Sequence, residues 1–179
     1  MGNKHIVNKK ENINNTDKYI CKYNIVILGE NGVGTKASLI QRIKEGKFID
    51  LSGEHKEKNE KIIYEKVNKT TIFYLIDTER REIASEYYKN ADCIIMGYDV
   101  TNKQSFEEIK KYWYKEIKEK TKTNLIYLLG NKIDLKKNIQ IKEKDVKKFA
   151  SENGIKYFLI SVKNDINIQK FFNNLKINI

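Results

Sequence analysis

Short apolar segments alternate with amphipathic ones along the chain from Tyr23 onward, and this order limits the fold more than any other feature. Strand–helix–strand order predicts a mostly parallel sheet with helices packed on both faces. Two neighbouring apolar segments, 62–67 and 70–76, flank Asn68-Lys69 and predict a hairpin. We therefore predict an α/β three-layer sandwich around a mostly parallel six-stranded sheet. The strands are expected at 23–28, 61–67, 70–76, 93–99, 125–130 and 157–161, and the helices at 36–46, 82–90, 103–121, 142–152 and 166–177.

The charge of the chain is large but is carried almost entirely by lysine. The formal net charge is +11 over 179 residues, and the only arginines are Arg42, Arg80 and Arg81. Lysine is a hydrated point charge and suits bidentate recognition of bases and phosphates less well than arginine does. The lysines are also interleaved with glutamates, as in 115–120. We therefore expect a solvated surface and no nucleic-acid binding, with attraction to an anionic membrane as the alternative.

The chain divides into a polar tail and one folded domain. Residues 1–20 are rich in Asn and Lys and show no periodicity, which predicts a mobile tail, and 21–179 can form a single core. The start Met1-Gly2-Asn3 invites myristoylation, although Ile6 stands where the acceptor pattern has Ser or Thr. Lysines in the tail would then supply a second, electrostatic signal for peripheral membrane binding. Cys93 lies in an apolar run and indicates a core residue of a reduced, cytoplasmic protein.

Polar residues or glycines fall at the carboxyl ends of five of the predicted strands. They are Gly29, Asp77, Asp99, Asn131 and Ser161. In open parallel sheets, ligands bind beyond the carboxyl ends of the strands. We therefore expect these positions to converge on one site.

The glycine-rich loop at 29–36 has the composition of a phosphate-binding loop. Glycines allow backbone N–H groups to surround an anion, and the following helix adds its positive N-terminus. The usual spacing is G-x-x-x-x-G-K-[ST], but here Thr35 precedes Lys36. Ala37 then takes the place of the magnesium-binding hydroxyl, and Ser38 comes one residue late. Either Ser38 or Thr35 could supply that oxygen.

The segment Asn131-Lys132-Ile133-Asp134 predicts which nucleotide base the site binds. A carboxylate can accept hydrogen bonds from both the ring N–H and the exocyclic amine of guanine, whereas adenine offers no such pair. Binding adenine would leave the carboxylate unpaired, so Asp134 favours guanine.

Residues 22 to about 175 resemble a small GTPase of the Ras superfamily, nearest to its Rab branch. The resemblance implies a P-loop NTPase fold, GTP or GDP and Mg²⁺ as ligands, and protein effectors or regulators in intracellular vesicle traffic or signalling. The matching stretches are Gly29–Gly34, Glu45–Phe48, Ile76–Thr78, Tyr87-Tyr88, Tyr98–Thr101, Gly130–Asp134 and Ser161–Asn164.

The resemblance also implies roles for individual residues. Asn131 and Asp134 would hold the guanine, and Lys132 would lie along the base and ribose. Phe48 would pack against the other side of the base, while 161–163 would offer backbone N–H groups to the guanine oxygen. Ser38 and Asp77 would bind the metal, Asp77 through water. The nucleotide-binding set is therefore Gly29, Asn31, Gly32, Val33, Gly34, Thr35, Lys36, Ala37, Ser38, Phe48, Asn131, Lys132, Asp134, Ser161, Val162 and Lys163.

The chain departs from the family where the terminal phosphate is sensed. No threonine occurs from 37 to 69, where the family has one that binds magnesium and this phosphate. After Asp77-Thr78 the family has alanine, glycine, glutamine and glutamate, and this chain has 79–82 as Glu-Arg-Arg-Glu. The water-orienting glutamine is thus missing, and no catalytic residue is identified. We predict weak ordering of 47–60 and 77–86 by GTP and slow hydrolysis, with Arg80 or Arg81 as a built-in arginine finger as one alternative. The other is a pseudo-GTPase scaffold that holds GDP constitutively or binds no nucleotide.

Overall fold

The computed structural model describes residues 19–45, 48, 59–66, 69–77 and 87–179. Its strands are β1 (Tyr19–Leu28), β2 (Asn59–Lys66), β3 (Lys69–Asp77), β4 (Cys93–Asp99), β5 (Ile126–Asn131) and β6 (Lys156–Leu159). They form one sheet in the order β2-β3-β1-β4-β5-β6. All neighbours pair in parallel except β2 and β3. The predicted six-stranded, mostly parallel sheet is confirmed.

The hairpin between β2 and β3 is also confirmed, with its turn shifted by one residue. Lys66 pairs with Lys69, so residues 67 and 68 make the connection, and both lie outside the described residues.

The first strand is longer than predicted. β1 begins at Tyr19 rather than at Tyr23, because Tyr19 to Lys22 pair with 69–72 of β3. Tyr19 and Ile20 therefore belong to the sheet, and the rest of the predicted tail, 1–18, is outside the described residues.

The helices follow the predicted order. They are α1 (Ala37–Glu45), α2 (Lys103–Glu108), α3 (Tyr114–Lys120), α4 (Glu143–Glu152) and α5 (Ile168–Asn178), with a 3₁₀ turn at Lys136–Asn138. A π-helical segment, Ile109–Trp113, joins α2 to α3, so the predicted helix 103–121 is continuous but contains one π segment. Of the predicted helix 82–90, the described part has a helical turn only at Tyr87-Tyr88.

The core lies on both faces of the sheet because alternate strand residues point in opposite directions. Val26 and Leu28 of β1 belong to a cluster that also contains residues of α2, the π segment, α3 and α4. Ile25 and Ile27 belong to a second cluster, with residues of α1 and α5. All seven residues of β4 are buried, as expected for a central strand covered on both faces.

The fourth helix, α4, stops at Gly154. This glycine has φ +65°, and the N–H of Ile155 donates to the carbonyl of Ala150 at 2.9 Å. A left-handed glycine just past the last helical residue is a common way to satisfy the final carbonyls.

Within the described part of the chain, no helix has both the length and the apolar character needed to cross a membrane.

Candidate functional site

The predicted polar positions meet at one edge of the sheet. Gly29 follows β1, while Asp77, Asp99 and Asn131 are the last residues of β3, β4 and β5. Ser161 lies two residues beyond β6. Since these strands run in parallel, their carboxyl ends share an edge, and the convergence expected from the sequence is confirmed. The side chain of Asp77 is outside the described residues.

The loop after β1 needs glycine at two positions for reasons of space as well as backbone conformation. Gly29 has φ +150°, and a Cβ there would stand 2.5 Å from the carbonyl oxygen of Gly97. Gly34 has φ +70°, and a Cβ there would stand 2.9 Å from Nδ2 of Asn131. The loop is therefore packed closely against β4 and the last residue of β5, and side chains are excluded from both contacts.

Thr35, the extra residue in the loop, turns its side chain into the interior. It is fully buried, and a Cβ on Gly97 of β4 would overlap its Oγ1, at 1.7 Å. Within the described structure, this hydroxyl has no hydrogen-bond partner. The insertion is thus accommodated by the missing side chain of Gly97. Of the two hydroxyls considered for the metal, Ser38, half-buried at the second position of α1, remains the candidate.

Lys36 closes the loop from its other end. Its Nζ donates to Oδ1 of Asn31 at 3.1 Å, and the residue is 7% exposed. Val33, between them, is buried in the core at 2% exposure and fixes the middle of the loop. The cationic group of Lys36 is therefore held beside the loop backbone.

A further contact joins this loop to the π segment between α2 and α3. Oε1 of Glu30 accepts a hydrogen bond from Nε1 of Trp113 at 3.3 Å. Trp113 is the last residue of the π segment and is 3% exposed. It is also the only tryptophan of the chain, so its fluorescence reports on the surroundings of the glycine loop.

Asn131 links the glycine loop to the segment after β6. Its Nδ2 donates to the carbonyl of Val33 at 2.9 Å, and its Oδ1 accepts from the N–H of Val162 at 3.0 Å. The side chain is nearly inaccessible, with 3% of the residue exposed. A buried amide bonded at both ends fixes the separation of the two loops.

Lys132 is held across the same edge by charge. Its Nζ donates to the carbonyl of Gly32 at 2.8 Å and lies 2.7 Å from Oδ2 of Asp99. The other oxygen of Asp99 accepts from both the N–H and the hydroxyl of Thr101, at 2.8 and 2.7 Å. The lysine adopts φ +70°, an uncommon conformation that its two partners maintain.

Asp134 is oriented by one neighbour and leaves one oxygen open. Its Oδ1 accepts from the Ser161 hydroxyl at 2.6 Å, and that hydroxyl accepts in turn from the N–H of Asn164 at 3.0 Å. Among the described residues, none donates a hydrogen bond to Oδ2. Each carboxylate oxygen can accept two hydrogen bonds, so a further pair of parallel N–H donors can be accommodated.

The turn at 161–163 has already committed two of its three backbone N–H groups. Ser161 donates to the carbonyl of Ile166 at 3.1 Å, and Val162 donates to Asn131. Within the described part of the chain, the N–H of Lys163 has no acceptor. Val162 is 1% exposed and packs in the core cluster shared with α5.

Arg42 is the residue that sequence reasoning missed. From α1 its Nε donates to the carbonyl of Val162 at 2.9 Å, and its Nη2 donates to the carbonyl of Lys163 at 2.7 Å. Its guanidinium carbon lies 6.0 Å from the ring centroid of Phe48, the residue predicted to flank the base. The only available signal was an isolated arginine in a lysine-rich chain, six residues after Lys36.

The fold and the site together define a class of protein. A glycine loop leads from the first strand into a helix, and an Asn-Lys-x-Asp turn is bonded to that loop at the carboxyl edge of a parallel sheet. This is the arrangement of a nucleotide-binding α/β protein of the P-loop class.

Comparison with known proteins narrows the class to a family. The sequence model of the Ras family matches residues 24–179. "Ras-related protein Rab-1" of Theileria parva is 34% identical over 164 residues, covering 88% of this chain and 74% of that protein. "Ras-related protein Rab-5A" of Dictyostelium discoideum is 32% identical over 168 residues, covering 89% and 81%. "Ras-related protein Rab-26" of Bos taurus is 31% identical over 164 residues, covering 87% and 63%.

The chain belongs to the Ras family and is a Rab-like small GTP-binding protein. The resemblance stated from the motifs is confirmed.

Proposed function

We propose that this protein binds GDP and GTP at the carboxyl edge of its sheet, hydrolyses GTP slowly without a partner, and acts through protein effectors or regulators in vesicle traffic. The observation that carries the proposal is the state of Asp134. Its carboxylate is oriented by Ser161, keeps one oxygen open, and lies one turn after an asparagine bonded to the glycine loop.

The base is recognised by two kinds of group in this proposal. The carboxylate of Asp134 accepts from the ring N–H and the exocyclic amine of guanine, a pair that adenine lacks. The N–H of Lys163 donates to the guanine oxygen, because those of Ser161 and Val162 are already committed. Phe48 covers one side of the base and the stem of Lys132 the other.

The phosphates lie on the glycine loop. A phosphate oxygen would replace Asn31 as a partner of Lys36, exchanging a neutral acceptor for a charged one, which makes a stronger hydrogen bond. Ser38 and Asp77 offer the hydroxyl and carboxylate oxygens that Mg²⁺ prefers. Asp77 ends β3 in register with Ile27, two residues before the loop begins. When bound, the metal would neutralise part of the phosphate charge.

Slow hydrolysis follows from the sequence after β3. The family's glutamine orients the attacking water, and residues 79–82 contain no glutamine. These residues, like most of 47–60, lie outside the described part of the structure. With little left to position water, we expect a single-turnover rate no higher than about 10⁻⁴ per second in the absence of a partner.

Nucleotide binding is tested by melting scans with GDP, a non-hydrolysable GTP analogue and ATP, each with and without Mg²⁺. A ligand at about a hundredfold over its Kd adds roughly 2.7 kcal/mol of stability. Both guanine nucleotides are expected to raise the melting temperature, and ATP is expected to leave it unchanged. The fluorescence of Trp113, recorded in parallel, should change with the same nucleotides because Glu30 of the loop contacts its indole.

Equal stabilisation by ATP would contradict the assignment of the base. A protein that responds to none of the three would instead be a scaffold without nucleotide. Rapid single-turnover cleavage would contradict slow hydrolysis and would indicate that Arg80, Arg81 or another group has replaced the glutamine.

A further inference from the structure

Arg42 holds two successive backbone carbonyls of the turn that faces the base. Its Nε is 2.9 Å from the carbonyl oxygen of Val162, and its Nη2 is 2.7 Å from that of Lys163. The rigid fork of a guanidinium presents two donors at a fixed angle, so it constrains both peptide groups together. A lysine at this position would hold only one of them at a time.

The orientation of one carbonyl determines the orientation of the next N–H. The carbonyl of Val162 and the N–H of Lys163 belong to the same planar trans peptide, in which they point in opposite directions. Because Arg42 holds that carbonyl towards α1, the N–H of Lys163 points away from α1. This N–H is the one donor of 161–163 that no described residue uses.

The following peptide is fixed in the same way. Arg42 holds the carbonyl of Lys163, and the N–H of Asn164 donates to the Ser161 hydroxyl, which donates to Asp134. The positive charge of the Arg42 guanidinium, bonded to these carbonyls, also polarises the two peptide groups, which makes their N–H groups better donors. Arg42 therefore acts on the donor strength of the turn as well as on its direction.

We infer that Arg42 is a positioning residue for guanine recognition, which aims the N–H of Lys163 at the oxygen on C6 of the base. The inference rests on the proposed guanine-nucleotide binding. It assigns to α1, the helix that follows the phosphate loop, an indirect part in reading the base, through the turn at 161–163.

The test is a comparison of GDP with 6-thio-GDP. In 6-thio-GDP, sulfur, a weak acceptor, replaces the oxygen on C6, while the ring N–H and the exocyclic amine that donate to Asp134 remain. Affinities are measured by calorimetry on the full chain for the wild type, Arg42→Met and Arg42→Gln. Lys147→Met on α4, an exposed site, is the control for loss of one positive charge. The wild type is expected to bind GDP about three- to tenfold more tightly than 6-thio-GDP, the worth of one hydrogen bond.

In Arg42→Met, GDP affinity is expected to fall by the same factor while 6-thio-GDP affinity stays nearly constant, so that the preference disappears. Arg42→Gln, which can hold one carbonyl, should keep part of the preference and serves if the Met variant fails to fold. Lys147→Met should match the wild type. Equal loss for both nucleotides, or an unchanged preference in both Arg42 variants, would overturn the inference. A wild type that binds neither nucleotide would instead refute the proposed function.

Discussion

At the scale of single residues, the loops of the site are joined to one another by side chains that bond to backbone groups. Asn131 bonds the carbonyl of Val33 and the N–H of Val162, and Lys132 bonds the carbonyl of Gly32. Such bonds fix the path of the two loops whatever the neighbouring side chains are. Thr35, which fills the space above Gly97, has a buried hydroxyl that bonds to no described residue.

Replacing Thr35 by valine tests whether that hydroxyl has a function. Valine keeps the shape and removes a buried polar group without a partner, so we expect the free energy of unfolding to rise by about 1 kcal/mol. Urea denaturation measures this value. Thr35→Ser keeps the hydroxyl and loses a methyl group, so its free energy of unfolding should instead fall by about 1 kcal/mol.

A valine variant that unfolds more easily would show that the hydroxyl has a hydrogen-bond partner in the folded protein. A valine variant that loses Mg²⁺-dependent nucleotide affinity would show that the hydroxyl binds a ligand. In that case the choice of Ser38 as the metal ligand would be wrong.

At the scale of elements, backbone conformation sets where helices stop and how they meet the site. Gly154 ends α4 with φ +65°, and a Cβ there would meet no atom within 4 Å. The cost of a side chain at this position is therefore purely one of backbone strain. The π segment has a different consequence, because its last residue, Trp113, reaches Glu30 of the glycine loop.

Gly154→Ala should lower the free energy of unfolding by about 1 kcal/mol, the cost of a left-handed conformation for a residue with a Cβ. Gly154→Asn should lower the free energy of unfolding by less, since asparagine tolerates the left-handed conformation. Thermal unfolding of the two variants gives the comparison. An alanine variant as stable as the wild type would mean that the turn after α4 relaxes to another conformation.

The order of elements was predictable because it depends on local patterns. The apolar run 93–99 predicts a buried strand, and β4 occupies it without a shift. The first four residues of β1 were missed because they owe their strand conformation to pairing with 69–72 rather than to their own pattern. The π segment was missed because one extra residue in a helical turn barely changes the helical period.

The site was predictable in its motifs but not in its contacts. The phosphate loop and the Asn-Lys-x-Asp turn carry recognisable spacings. The inward turn of Thr35 depends on Gly97, sixty-two residues away in the sequence, and the bonds of Arg42 depend on carbonyls 120 and 121 residues away. No local pattern contains such information.

At the scale of the whole molecule, the net charge of +11 is spread over a surface on which acidic and basic side chains alternate. Pairs such as Lys110 with Glu107, at 2.6 Å, lie within single helices and neutralise one another locally. Attraction to an anionic membrane would therefore depend on lysines that lack nearby acids. Lys4, Lys9 and Lys10 of the tail are only partly offset by acids, since Glu11 is the only acid among the first sixteen residues.

Changing Lys4, Lys9 and Lys10 to glutamine should weaken binding to phosphatidylserine vesicles by on the order of a hundredfold, at about 1 kcal/mol for each lysine near the surface. Sedimentation with vesicles at low salt measures the loss, and added salt should abolish binding of the wild type. The matched control changes Lys144, Lys147 and Lys148, which are exposed on α4. Equal losses in both triple variants would mean that the net charge, and not the tail, attracts the membrane.

In the proposed function the carboxylate of Asp134 recognises guanine, and this role is tested by the Kd of GDP for Asp134→Asn, measured by calorimetry. Asparagine can still accept from Ser161 but loses the charge, so we expect GDP to bind at least about tenfold more weakly. Asp165→Asn, an exposed carboxylate in the neighbouring loop, is the control and should bind GDP as the wild type does. An Asp134→Asn variant whose GDP affinity equals that of the wild type would contradict the account, because the base would then be recognised elsewhere.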